Sequence, residues 1–173
     1  LVPVLDVVLS PTSIAENSGF HATLGTVTRR KSADISAPLL VTLSTSDSTE
    51  ALPAATVTIP ANQTSAPFAI TAVDDLLLDG TQTVRITATA SGFAAGFADL
   101  QVTDFETLSL SFNKSSIGEN QGAAAATATV TRSNTDLSAP LVVTIAGSDS
   151  SEATAPATVT ILANQASATF DIQ

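Results

Sequence analysis

The sequence predicts an all-β chain of tandem antiparallel β-sandwiches, the second one incomplete, and three observations carry that reading. Apolar and polar residues alternate with period two, and no stretch holds a helical period for long. Ala, Val, Leu, Ile, Thr and Ser dominate, with seven Phe and no Trp, Tyr, Met or Cys, a composition suited to pleated sheets packed face to face. The text also repeats. Ser13-Ile14-Ala15-Glu16-Asn17-Ser18-Gly19 returns as Ser116-Ile117-Gly118-Glu119-Asn120-Gln121-Gly122, and Ser46-Asp47-Ser48-Thr49-Glu50-Ala51 returns as Ser148-Asp149-Ser150-Ser151-Glu152-Ala153, at offsets of 103 and 102 residues. Between Pro38–Ile70 and Pro140–Ile172, 21 of 33 aligned positions are identical. The period exceeds the roughly 20–50 residues of solenoid and propeller units and matches a small independent domain.

In the first copy, short runs bounded by Pro, Gly, Asn or Asp predict strands at Leu5–Ser10, Thr23–Arg29, Leu39–Thr45, Ala55–Ile59, Ala66–Ala72, Thr81–Ala90 and Ala98–Thr103. Seven strands at this spacing predict an immunoglobulin-like sandwich. Pro11, Pro53, Pro60 and Pro67 are expected at strand ends or in loops, where a missing N–H disturbs no central ladder. Arg29-Arg30-Lys31 is expected to be a solvated loop at one pole. The second copy reaches Asp171-Ile172-Gln173 with no counterpart of Thr71–Asp104. The expected domains are therefore 1–106, a complete sandwich, and 107–173, a second one lacking its last two strands, within an internal or processed segment of a larger protein.

With 44% apolar and 13% charged residues in 173, the chain can build a core and is not a disordered tail. The absence of Cys removes disulfides, thiolate nucleophiles and thiolate metal sites. A formal charge of −10, from 16 acids and 6 bases, argues against nucleic acid as partner. No apolar run approaches the roughly 18–20 residues of a membrane span. His21 is the only histidine, and neither a Gly-x-Ser-x-Gly elbow nor a Gly-rich phosphate loop is present. The expectation is that the chain is not an enzyme.

If the strands run alternately up and down, the loops after strands one, three and five and the end of strand seven share a pole. Those places hold Glu16; Asp47 and Glu50; Asp74, Asp75 and Asp79; and Asp104 and Glu106. Eight carboxylates at one pole repel unless a cation or solvent intervenes. Ca²⁺ takes six to eight oxygens at about 2.3–2.6 Å, which three or four carboxylates with loop carbonyls and water can supply. The plainer alternative is that these acids are solvated turn formers. Leu76-Leu77-Leu78 is expected to plug the open end of the sandwich.

The Glu16-Asn17-x-Gly19 turn, the Ser46-Asp47-x-x-Glu50-Ala51 loop, Ala72-Val73-Asp74-Asp75 with Asp79-Gly80, and the closing Val102-Thr103-Asp104 resemble the Calx-β domain family. The resemblance spans 1–106 fully and 107–173 in part. It implies an immunoglobulin-like sandwich of a kind found in sodium/calcium exchangers, an integrin tail and long repetitive bacterial surface proteins, some members binding Ca²⁺ at the acidic pole. By position, it implies metal ligands at Glu16, at Asp47 or Glu50, at Asp74, Asp75 and Asp79, and at Asp104. The exchanger domains carry denser acid runs than this chain, whose cluster is interrupted by Leu76-Leu77-Leu78.

The functional expectation is a non-catalytic structural or adhesive module of a long extracellular or cell-surface protein, with Ca²⁺ stiffening its contact with neighbouring repeats. An alternative is a subunit of a self-assembling filament, a homopolymer in which a neighbouring chain supplies the missing strands. A third is a calcium-sensing regulatory domain of a membrane protein.

Overall fold

The computed structural model describes residues 2–31, 34–75 and 77–173. The chain divides into two compact units. Unit one runs up to Asp75 and from Asp79 to Phe105, and unit two is principally Glu106–Gln173. Leu76, the first residue of the expected plug, lies outside the described residues.

Unit one contains β1 (Val4–Ser10), β2 (Ser13–Ala15), β3 (Thr23–Arg30), β4 (Leu39–Thr45), β5 (Ala51–Pro53), β6 (Thr56–Ile59), β7 (Ser65–Ala72), β8 (Gln82–Thr89) and β9 (Gly96–Thr103). They form two sheets, β1-β3-β7-β5 and β2-β9-β8-β4-β6. All pairings are antiparallel except β2 with β9. This is the immunoglobulin-like sandwich that the alternation predicts. Each of the seven expected strands is present. β2 and β5, at three residues each, are too short to leave an alternation signal, and both arise where the chain passes along an existing edge.

The core lies between the sheets. Leu5, Val7 and Leu9 of β1 and Val27 of β3 face Val84, Ile86 and Ala88 of β8 and Leu100 and Val102 of β9, all of them buried. Alternate residues of those strands face outward, so one β-period accounts for both the core and the solvated faces.

Two expectations are corrected. Pro67 lies inside β7, opposite Thr26, rather than at a strand end. It is tolerated because β5 pairs only with residues 70–72, so no strand on that side awaits the missing N–H. The Arg29-Arg30-Lys31 run is not a solvated loop: Arg29 and Arg30 belong to β3. Arg29 is buried. Its guanidinium donates to the carbonyls of Gln63 (2.8 and 2.6 Å), Ala37 (2.9 Å), Ile35 (3.0 Å) and Pro60 (3.0 Å). Arg30 instead pairs with Asp6 at 2.6 Å on the outside.

Unit two contains β10 (Leu108–Phe112), β11 (Ala126–Arg132), β12 (Leu141–Thr144), β13 (Thr158–Ile161) and β14 (Ser167–Ile172), paired as β10-β11-β14 and β12-β13. These are the counterparts of β1-β3-β7 and β4-β6. Arg132 repeats the role of Arg29, donating to the carbonyls of Gln165, Ala139, Leu137 and Leu162. Those acceptors sit 102 residues beyond Gln63, Ala37, Ile35 and Pro60. Among the described residues, nothing in unit two corresponds to β8 and β9. Leu108, Leu110 and Phe112, which match the buried Leu5, Val7 and Leu9, are accordingly 42%, 48% and 54% exposed. Among the described residues no helix is long and apolar enough to cross a membrane.

Candidate metal centre

The acids of unit one are placed by strand pairing rather than by loop chance. The parallel pairing of β2 with β9 sets Ile14 beside Val102 and Ala15 beside Thr103. The turn that follows, Glu16–Ser18, therefore begins next to the end of β9. Glu16 is buried there, and its Oε1 accepts the Phe105 N–H at 2.7 Å. The pairing of β5 with β7 joins Ala51 to Ala72 and continues as a Val73 N–H bond to the Glu50 carbonyl, 2.9 Å. It brings Glu50 against the chain that carries Asp74 and Asp75.

Two groups of carboxylates result. Glu16 and Asp74 each place an oxygen within 4.8 Å of the other. Glu50, Asp75 and Asp79 do the same as a set of three. Asp74 and Asp75 are consecutive, so the two groups adjoin. Glu50 is only 3% exposed, and its carboxyl is pushed up to about 7, first by burial and then by the negative charge of Asp79, Asp75, Asp47 and Asp104.

The remaining expected ligands are engaged differently. Asp104 Oδ2 accepts the Gly80 N–H at 2.7 Å and so closes the loop that carries Asp79. Asp47 Oδ1 accepts from the Thr49 N–H (3.0 Å) and hydroxyl (2.6 Å). Those bonds, the hydroxyl's first, hold its carboxyl below the usual carboxylate range. Asp149 makes the same turn with Ser151 in unit two. Asp47 is thus a turn former that contributes field to the cluster, and it belongs to neither group. Glu106 opens unit two. In unit two, Glu119 and Glu152, the counterparts of Glu16 and Glu50, are both exposed.

The donor set is all hard oxygen, with carboxylates outnumbering any other donor. Such a set suits Ca²⁺ or Mg²⁺ rather than zinc or copper, which favour imidazole and thiolate. A buried carboxyl facing like charges is strained until a cation or a proton neutralises it. The residues present therefore fit a divalent cation held chiefly by Glu50, Asp75 and Asp79, with Asp74 and Glu16 adjoining. His21, exposed in the turn before β3, stacks on Phe20 with ring centroids 4.0 Å apart and stands apart from both groups.

No family model matches the chain, and no curated protein matches it. Solved structures with some similarity include the apo-form CBD1 domain of Calx, at 20% identity and a TM-score of 0.42, covering 58% of this chain and 97% of that one. The CBD12 tandem from CALX1.2 aligns at 17% identity and a TM-score of 0.43, over 96% of this chain and 75% of the other. The E. coli chaperone DraB aligns at 10% identity and a TM-score of 0.39, over 97% and 87%.

Proposed function

We propose that unit one is a non-catalytic structural module whose acidic pole binds Ca²⁺. The observation that carries the reading is Glu50. A carboxylate is buried within 4.8 Å of two others and held partly protonated near neutral pH, first by its burial and then by their charge. A cation of charge two relieves both the burial cost and the repulsion. Structural use follows from where the ligands sit. They clasp the turn after β2, the loop after β4 and the loop after β7, so occupancy ties both sheets of the sandwich together at one end. The host is proposed to be a long extracellular or cell-surface protein of tandem repeats, consistent with two copies joined by so short a linker.

Thermal unfolding with Ca²⁺ and with excess chelator tests the reading. A ligand at a hundredfold excess over its Kd stabilises by about 2.7 kcal/mol, which raises the melting temperature of a domain this size by about 10 °C or more. Identical melts in both conditions would sink it.

A further inference from the structure

We propose that Asp104 is a positioning residue of the acidic pole rather than one of its ligands: its carboxylate holds the Asp79-Gly80 turn so that Asp79 stands beside Glu50 and Asp75 before a divalent cation arrives. The inference rests on the Ca²⁺ reading above, and it gives Asp104 a task other than the one its place in the sequence implies.

The loop needs such a hold. From Val73 to Thr81 the described residues belong to no strand or helix. The first part of this stretch is fixed by β7 and by the Val73 N–H bond to the Glu50 carbonyl, 2.9 Å, which brings Asp75 close to Glu50. Asp79 comes later, after the chain has left β7 and before it joins β8 at Gln82. It is exposed there. A carboxylate on such a segment is free to turn to water, and ordering it around a cation costs conformational entropy.

Asp104 fixes that stretch from the other side. The ladder of β8 and β9 pairs Gln82 with Val102, so the same register two residues on sets Gly80 opposite Asp104. By then β9 has ended, at Thr103. Asp104 Oδ2 accepts the Gly80 N–H at 2.7 Å, a charge-assisted bond roughly twice as strong as a neutral one. Gly80 has φ +87 and open space where a Cβ would stand, a backbone state that glycine adopts freely. The bond therefore secures the residue next to Asp79 that has the widest backbone freedom of its own.

Two observations separate this task from ligation. Asp79 belongs to a group of carboxylates whose oxygens lie within 4.8 Å of one another, and Asp104 belongs to neither such group. The charge of Asp104 also acts on Glu50 less than that of Asp79, Asp75 or even the turn former Asp47. Asp104 stands behind the cluster and acts through the turn that it ties down.

Calorimetric titration of the whole chain with Ca²⁺, paired with hydrogen exchange in excess chelator, tests this in wild type, Asp104→Ala and Asp104→Asn. Both variants lose the charge, and only Asn keeps an acceptor for the Gly80 N–H. Asp104→Ala is expected to weaken Ca²⁺ binding about tenfold or more and to speed exchange across 77–82 in the metal-free protein. Asp104→Asn is expected to restore slow exchange and to bring the affinity back to within about threefold of wild type. Binding that is lost equally in both variants overturns the proposal and makes Asp104 a ligand. Binding or metal-free exchange that Asp104→Ala leaves unchanged overturns it as well. A wild type that takes up no Ca²⁺ is distinguished in the first titration, and it removes the metal reading together with the role built on it.

Discussion

Arg29 and Arg132 show how much a single residue can decide. Each is a buried cation whose guanidinium donates to backbone carbonyls from two loops. The planar fork of five donors suits that task, and an ammonium does not. Arg29→Met is expected to destabilise unit one by about 3 kcal/mol or more, because several buried carbonyls lose their donor. Arg29→Lys is expected to recover only part of that, as read by urea denaturation.

Glu50 makes a second residue-scale prediction. Its folded value of about 7 stands above the ordinary 4.5. Between those pH values the folded, metal-free protein holds a proton that the unfolded chain has lost. Stability therefore falls as pH rises from about 4.5 to about 7 and levels off above that, by about 3 kcal/mol for the full shift. Asp47 acts oppositely and in a separate window, since its depressed value costs stability only as pH falls below about 3.8. Glu50→Gln is expected to flatten the slope between pH 4.5 and 7 and to abolish stabilisation by Ca²⁺ (melts across pH, with and without the ion). A slope that persists in the variant would assign it to another group.

At the scale of the element, a tight backbone constraint lies where β9 passes β1. A Cβ at Gly96 would stand 2.3 Å from the Leu5 carbonyl oxygen and 2.7 Å from its carbon, a backbone contact that no rotamer change relieves. Gly96→Ala is expected to destabilise unit one by about 2 kcal/mol or more, through displacement of β1 from the β9 side. Calorimetry measures it. β1 is also where the two copies diverge most in burial. Leu5, Val7 and Leu9 are buried against β8 and β9, and their matches on β10 are exposed, no counterpart of β8 or β9 lying among the described residues. The seven longer strands were legible because period-two alternation is local. β2 and β5 were not, since a three-residue strand exists only through its neighbour's free backbone groups.

At the scale of the whole molecule, two units with separate cores predict separable responses. Ca²⁺ is expected to raise the unfolding temperature of unit one alone, because Glu119 and Glu152 of unit two, the counterparts of the buried Glu16 and Glu50, are both exposed. Hydrogen exchange resolved by segment checks this: protection by Ca²⁺ should concentrate in 14–19, 47–52 and 72–82. Uniform protection across both units would contradict it.

The sequence by itself determined the all-β class, the sandwich, the repeat and the pole at which the acids gather, because alternation, turn residues and self-similarity are properties of the chain read in order. Only the tertiary structure decided which acids do what. Glu16 and Glu50 are buried while Asp47 is spent on a turn, and Arg29 is an interior clamp rather than part of a solvated loop. The physical reason is common to all of these. Burial, repulsion and carbonyl satisfaction depend on which backbones pass each other, and a residue carries the same letter whether or not a neighbouring strand covers it.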